Sequence, residues 1–257
     1  MIVKTEAIVL RSRKFRETSK ILTLYTREYG KLSVIAKGAR DRRAKFGSAL
    51  DSMNYVVAII YKKENRDLHL LTQCDSIKSF NKLSEDMDRM AAALSIIELV
   101  EVVTRAEDES KALFNMVVQT LEAVNTATTN AMNVLYFFEM RLSEILGFRP
   151  NFHQCSRCGA SIGQVSDGTK EGELHLSSGG VLCGKCSHER IGHGIISAAG
   201  LRILQEIQKV PHGEAVTSMT LSSQLRDEVH TALRRHLQTH IGGLHRLKAD
   251  AVFSAIM

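Results

Sequence analysis

Along residues 5 to 75 apolar and polar positions alternate at period two, the mark of strands that turn one face to a core. Leu32, Val34 and Ala36 fall on one face, with Lys31 and Ser33 on the other. Leu68, Leu70, Thr72 and Cys74 share a face opposite Asp67, His69 and Gln73. Thr5 to Arg11, Lys20 to Thr26 and Tyr55 to Tyr61 complete a set of five short strands. The second and third are joined across Glu28-Tyr29-Gly30, where glycine permits positive φ. Five strands in about 75 residues fit a small closed barrel such as the OB-fold, whose oligonucleotide face lies on its second and third strands.

After Phe80 the period becomes helical. Met87, Met90, Leu94, Ile97 and Val100 recur at three- and four-residue steps, with Ser84 as the expected N-cap and Glu85 and Asp86 in the first turn, where the helix dipole favours anions. A second stripe is Leu113, Met116, Val117, Leu121 and Val124. A third is Met132, Leu135, Phe138, Leu142 and Ile145, stopped at Gly147 with Pro150 beyond. Two further helices are expected from Ser197 to about Lys209 and from Ser222 to about Ile241, closed by Pro211 and by Gly242-Gly243. The fold class is therefore multi-domain α+β. A five-stranded barrel over 1–80 precedes a helical domain whose parts, 81–150 and 191–257, flank a cysteine-bearing module at 151–190.

That module carries the most specific signal. Cys155-Ser-Arg-Cys158-Gly is followed, after 24 intervening residues, by Cys183-Gly-Lys-Cys186. Two C-x-x-C turns can converge four sulfurs tetrahedrally on one Zn²⁺, and Gly159 and Gly184 suit tight knuckles. With all four positions protein thiolates, no coordination site stays open, so the expected metal is structural. Two independent cysteine pairs are the alternative. His153, His175 and His188 lie near enough to substitute as ligands, but surface histidines beside the site are the simpler reading. Cys74, by alternation, is a small core residue.

Charge sharpens the picture. The 257 residues carry a formal +6. Residues 1–80 hold 17 Lys/Arg against 8 Asp/Glu, and residues 81–150 hold 6 against 11. The excess is a property of the barrel, as expected of a polyanion-binding module. Lys37, Arg40, Arg42, Arg43 and Lys45 follow the third strand, and Arg11, Arg13, Lys14, Arg16 and Lys20 crowd the first connection. Lys62, Lys63 and Arg66 occupy the loop between the last two strands. In an OB topology these loops rim one groove, where their charges would add along a nucleic-acid backbone. Half of the 14 aromatic residues, among them Phe15, Tyr25, Tyr29 and Phe46, also fall in the first 80, so base stacking is open beside barrel packing.

Several classes find no support. No apolar run is long enough to span a membrane, and Lys4 and Glu6 interrupt any secretory h-region, so a cytosolic protein is expected. There is no G-x-x-x-x-G-K-[ST], G-x-S-x-G or H-E-x-x-H, and nothing points to a small-molecule substrate. His236 and His240 stand four apart on the last helix, but Leu237 sits where the metalloprotease base belongs, and they read as exposed helix histidines.

The order Ala7-Ile-Val-Leu10-Arg11, Arg16-Glu17-Thr18-Ser19-Lys20-Ile-Leu-Thr-Leu-Tyr-Thr26, Gly30-Lys31 and Ala36-Lys37-Gly38-Ala39-Arg40 resembles the N-terminus of the bacterial RecO family of recombination mediators. So do Leu146-Gly147-Phe-Arg-Pro150 leading into Cys155-x-x-Cys158-Gly, and Gly179-Gly180-Val-Leu-Cys183-x-x-Cys186. The resemblance covers the whole chain. It implies an OB-fold followed by helices with a four-cysteine zinc module. It also implies a non-enzymatic function: binding single- and double-stranded DNA, annealing complementary strands and, with RecR, helping to load RecA onto DNA coated by single-stranded-DNA-binding protein. It further suggests a groove in the helical region for the acidic C-terminal tail of that coating protein, for which Arg141 or Arg149 would supply cations, and a cytoplasmic, nucleoid-associated location. A zinc-ribbon factor acting in transcription or on RNA is the alternative, to be told apart by duplex affinity without strand annealing. An uncharacterised nuclease, which cleavage with Mg²⁺ would reveal, has no acidic metal cluster in its favour.

Overall fold

The computed structural model describes residues 1–41, 46–64, 66–162, 174–177, 179–187, 194–244, 247 and 249. These fall into two compact units. The first is Met1–Thr126, joined by Leu247 and Ala249, and the second begins at Ala127.

The first unit is built on a closed barrel of β1 (Ile2–Phe15), β2 (Ser19–Thr26), β3 (Gly30–Ala36), β4 (Tyr55–Tyr61) and β5 (Leu68–Lys78), in the order β1-β2-β3-β5-β4. This is the OB-like barrel the alternation implies. β1 is long enough to serve two neighbours. Its first half pairs with β4, from Ile2 opposite Tyr61 to Ile8 opposite Tyr55, and its second half pairs with β2 to Phe15 opposite Ser19. A register shift between Val9 and Arg11 marks the change. The parallel pair β3 and β5 closes the ring. Val9, Leu22, Leu24, Val34, Val56 and Ile60 fill the barrel, and Phe46, Ala49 and Leu50, on and beside the short 3₁₀ turn Gly47–Leu50, join that core.

Two expectations for this unit are corrected. In β5 it is His69 and Leu71 that are buried, while Leu68 and Thr72 are exposed and Leu70 is half-buried. An extra residue interrupts the pairing where Ile59 faces Gln73 and Ile60 faces Leu71, so the inward phase resumes at Cys74. One inserted residue exchanges the two faces of a strand. The first helix also starts later than Ser84. Asn81–Glu85 forms a 3₁₀ turn, Asp86 is the N-cap, and its carboxylate accepts from the Arg89 N–H at 2.9 Å. In α1 (Met87–Val103) Met87 is exposed and the buried set is Ala91 to Ala93, Ser95 to Ile97, Leu99 and Val100. Burial wraps most of the helix because it packs on both β1 and α2 (Lys111–Thr126).

α2 buries its whole expected stripe. Its Phe114 meets Tyr25 and Tyr55 at ring-centroid distances of 5.8 and 6.2 Å, and the Tyr25 hydroxyl donates to the Ser110 carbonyl. Gly30 adopts φ +60°, and a Cβ there would lie 2.5 Å from the Asp108 carbonyl oxygen, so this turn needs glycine for conformation and for space.

In the second unit α3 (Ala131–Ile145) buries Met132, Leu135, Phe138 and Leu142. It ends in a Schellman motif, with Gly147 at φ +86° donating to Glu144 and Phe148 donating to Ser143. A four-stranded sheet in the order β6-β8-β7-β9 follows, from β6 (Asn151–Cys155), β7 (Leu174–Ser177), β8 (Gly180–Leu182) and β9 (Ile195–Ile196), with the one-turn helix α4 (Gly184–Ser187) after β8. α5 (Ala198–Lys209) and α6 (Ser223–His240) are capped by Ser197 and Ser222. α5 holds the sheet through Gln205, which donates to the Phe152 carbonyl, and Gln208, which donates to that of Pro150. Between α3 and α6 the Glu139 and Arg234 side chains pair at 3.2 Å within the core. His236 is buried rather than exposed, with Nε2 2.8 Å from the Phe148 carbonyl, because its face of α6 packs on the end of α3; His240 is exposed and stacks on Phe148.

Candidate metal centre and nucleic-acid interface

β6 and β8 are parallel neighbours, so the two C-x-x-C turns leave the sheet at the same end. The first turn folds back on itself, with Gly159 at φ +73° donating to the Cys155 carbonyl at 2.9 Å. Gly184 does not repeat this role. The second pair closes through α4, where the Cys186 and Ser187 N–H groups donate to the Cys183 carbonyl at 2.9 and 3.1 Å.

The four Sγ atoms of Cys155, Cys158, Cys183 and Cys186 lie within 4.8 Å of one another, and all four are free thiols. Cys158 Sγ and Cys183 Sγ are 3.8 Å apart. Tetrahedral ligation at about 2.3 Å sets sulfur–sulfur edges at about 3.8 Å, so this spacing is that of ligands around one ion. Neither His153 nor His175 belongs to the cluster, and His188 lies outside the described residues. Electrostatics favour a cation. Burial opposes ionisation of Cys155, but N–H groups of Cys183, Cys158 and Arg157 together outweigh it and bring its thiol to about 6. Hydrogen bonding to Cys158 and the company of the other sulfurs push Cys186 up to about 12. Four thiols so close cannot all ionise unless a cation sits among them. The donor set fits a metal ion and fills a four-coordinate shell.

The basic residues of the barrel are sorted by what surrounds them. Arg40 ties two loops together. Its N–H donates to the Thr18 carbonyl, and its guanidinium donates to those of Arg16 and Glu17 at 3.2 and 2.9 Å. The β1–β2 turn and the segment after β3 therefore form one tip. Around it Arg13, Lys14, Arg16 and Lys37 are exposed and make no ion pair among the described residues, and Arg16 lies over the Phe15 ring. Arg11 pairs with Glu101 at 3.3 Å and Lys20 with Asp51 at 3.4 Å. Arg42, Arg43 and Lys45 lie outside the described residues.

Lys62 does not join this tip. It pairs with Glu107 at 2.8 Å and lies over the Tyr29 ring beside the β2–β3 turn, at the other end of β3 from Lys37. The outward face of β2 is also partly closed. Tyr25 is fully buried under α2, Phe46 belongs to the barrel core, and Lys31 is drawn to the Glu101 carbonyl at 2.7 Å. Tyr25 and Phe46 are thus packing residues, whereas Phe15 and Tyr29 stay partly accessible. The counter-ions Glu101 and Glu107 escape sequence reasoning because they lie 90 residues from Arg11 and 45 from Lys62. Arg141 and Arg149 both pair with Glu144.

No helix among the described residues is long and apolar enough to cross a membrane. Residues 1–80 match the family model for the N-terminal part of recombination protein O, and residues 84–250 match that for its C-terminal part. The DNA repair protein RecO of Salinibacter ruber is 32% identical over 255 residues, covering 99% of this chain and 94% of its own. That of Chloroherpeton thalassium is 28% identical over the full length of both chains, and that of Chlorobaculum parvum is 38% identical over 60% of each. Barrel, helices, cysteine cluster and both halves of the sequence thus agree, and the chain belongs to the RecO family of DNA repair proteins.

Proposed function

We propose that this chain is a recombination mediator that binds single- and double-stranded DNA, anneals complementary strands and, with RecR, helps load RecA onto DNA coated by single-stranded-DNA-binding protein. The observation that carries the DNA-binding part is the β1–β2 tip, where Arg40 fixes two loops so that Arg13, Lys14, Arg16 and Lys37 face solvent together without acidic partners among the described residues. Arg11 and Lys20 border it, and Arg42, Arg43 and Lys45 extend the same basic run in sequence. Annealing requires no bond-making residue. Cations that neutralise two phosphate backbones lower their mutual repulsion, and contacts confined to phosphates leave base edges free to pair.

In this reading residues 1–80 bind DNA, 81–150 and 191–257 form the helical domain, and 151–190 form a module held by one structural Zn²⁺ on Cys155, Cys158, Cys183 and Cys186. Zinc would supply a cross-link between two sequence-distant turns, and the sulfur spacing supports that assignment. RecR, RecA and the acidic tail of the coating protein as partners, and a place in the bacterial cytoplasm at the nucleoid, belong to the same proposal, which family membership supports. The test is strand annealing on complementary oligonucleotides coated by single-stranded-DNA-binding protein, with and without RecR. Acceleration by this protein is expected. Duplex binding with no acceleration of annealing would favour a zinc-ribbon factor that reads duplexes.

A further inference from the structure

The barrel carries a second accessible surface that the basic tip does not use. On its outward side Ile2 pairs opposite Tyr61, Tyr61 opposite Leu70, and Leu70 opposite Ile35. Their strand neighbours Val3, Ile60, Leu71 and Val34 point into the core. Four apolar side chains therefore cross β1, β4, β5 and β3 in one row, about 14 Å long over three strand spacings. Ile2 is 69% exposed and Tyr61 42%. Ile35 and Leu70 are half-buried, so the row is continuous across the sheet face rather than a scatter of single apolar residues.

Two properties of the row indicate what covers it. Tyr61 is the one exposed aromatic side chain among the described residues. Cations stand at both ends: Lys37 two residues beyond Ile35, and Lys62 and Lys63 directly after Tyr61, with Lys4 two residues along β1 from Ile2. Glu64 and Asp67 share the β4–β5 loop, and Glu107 takes Lys62, so among the described residues Lys63, Arg66 and Lys4 are the cations there with no ion pair. Lys62 and Lys63 are anchored, since the N-terminal amine donates to the Lys62 carbonyl and the Lys63 N–H to His69 Nδ1. A flat ring between aliphatic neighbours, bounded by cations, suits a base with its phosphates on either side.

We propose that Tyr61 is a stacking platform for a base of single-stranded DNA, so that a strand held at the β1–β2 tip continues over β3, β5 and β4 rather than over the closed outer face of β2. This rests on the DNA-binding reading of the barrel. It predicts a difference between single and double strands, because a duplex keeps its base faces stacked on one another.

The test uses the whole protein and oligothymidylate. The chain has no tryptophan, so its tyrosine emission is observable directly. Oligothymidylate should quench that emission in the unaltered protein. Tyr61→Phe should keep single-strand affinity within about twofold, since the ring still stacks, and should lose most of the quenching. Tyr61→Leu should weaken single-strand binding about 5- to 100-fold while changing duplex binding less than about twofold. Thermal unfolding of both variants checks that the barrel is intact. Unchanged single-strand affinity in a folded Tyr61→Leu variant, or equal losses on both DNA forms, overturns the proposal and leaves the row as a protein-docking face. If removal of the tip cations abolishes DNA binding while Tyr61→Leu does nothing, the DNA-binding reading stands and this one falls. If the unaltered protein binds neither DNA form, both fall.

Discussion

Replacing Arg13, Lys14 and Lys37 together with alanine isolates the electrostatic part of DNA binding, because these three are exposed at the tip and have no ion-pair partner among the described residues. Arg40 is unsuitable for this purpose. Its guanidinium holds the Arg16 and Glu17 carbonyls, so its loss would disturb the tip that presents the other cations. If each of the three neutralises one phosphate, each releases counter-ions, and log K on single strands should fall with log[salt] by about 0.7 per contact. The triple variant should therefore flatten the slope by about 2. Between 50 and 200 mM salt the affinity advantage of the unaltered protein should shrink about 20-fold. The loss should be the same for oligonucleotides of different sequence, since phosphate contacts carry no base information. Exposed cations without partners add little to stability, so the melting temperature should move by no more than a few degrees, in either direction. Fluorescence-anisotropy titrations at four salt concentrations measure the slope. An unchanged slope in a folded variant would falsify the assignment and move the DNA path away from the tip.

Four further variants test particular features of the structure. Cys158→Ser combined with Cys186→Ser should lower bound metal from about one equivalent per chain to nearly none by elemental analysis, and should expose residues 151–187 to proteolysis while amide exchange in β1 to β5 stays slow; retention of a full equivalent would remove these sulfurs as ligands. Gly30→Ala should destabilise the first unit by about 3 kcal/mol, since positive φ costs alanine about 1–2 kcal/mol and the new Cβ meets the Asp108 backbone at 2.5 Å. Gly147→Ala, with φ +86° and open space around the Cβ, should cost only about 1 kcal/mol, both costs being read from urea titrations, and equal costs would contradict the close approach. Glu6 accepts from the Tyr55 hydroxyl at 2.6 Å and from Arg27 at 2.8 Å, which hold its carboxyl below the usual value of 4.5 against the effect of burial. A depressed folded-state value means that the stabilisation is full above 4.5 and fades as pH falls through the lowered value, so the stability gap between the unaltered protein and Glu6→Gln should narrow in acid; a gap that widens below pH 4 would reverse the sign.

What the chain discloses before folding depends on how local the determining contact is. The C-x-x-C turns are legible because each pair of cysteines is set by a four-residue turn, and the barrel strands are legible because alternation is a nearest-neighbour pattern. The phase of β5 is not, because the extra residue near Thr72 is a property of its pairing with β4 and leaves no mark in β5 itself. Ser84 and Asp86 both suit an N-cap. The 3₁₀ turn Asn81–Glu85 decides for Asp86, helped by Asn125, whose Oδ1 accepts from the Lys82 N–H from 43 residues away. Tyr25 and Tyr61 are alike in sequence terms, each one residue from the end of its strand or at it; only the placement of α2 buries the first and leaves the second accessible.

The same distinction governs the charge. By composition the first 80 residues are a uniformly basic barrel and the next 70 an acidic segment. In the folded first unit three acids of that segment reach the barrel: Glu101 to Arg11, Glu107 to Lys62 and Glu122 to Lys78, at 3.3, 2.8 and 2.6 Å. Pairs this exposed are each worth about 1 kcal/mol or less, so they do little for stability. Their larger effect is on the field. A cation with a carboxylate within 4 Å presents a dipole to a phosphate one Debye length away, about 8–10 Å, whereas an unpaired cation presents its full charge. Pairing with acids of α1, α2 and the segment between them therefore lowers the potential along the flanks of the barrel, and the cations without an ion-pair partner among the described residues collect at the β1–β2 tip. If the tip binds DNA as proposed, an attraction spread by composition over a whole barrel would become directional, and a DNA backbone would be steered to the side from which the β3, β5 and β4 surface can be reached.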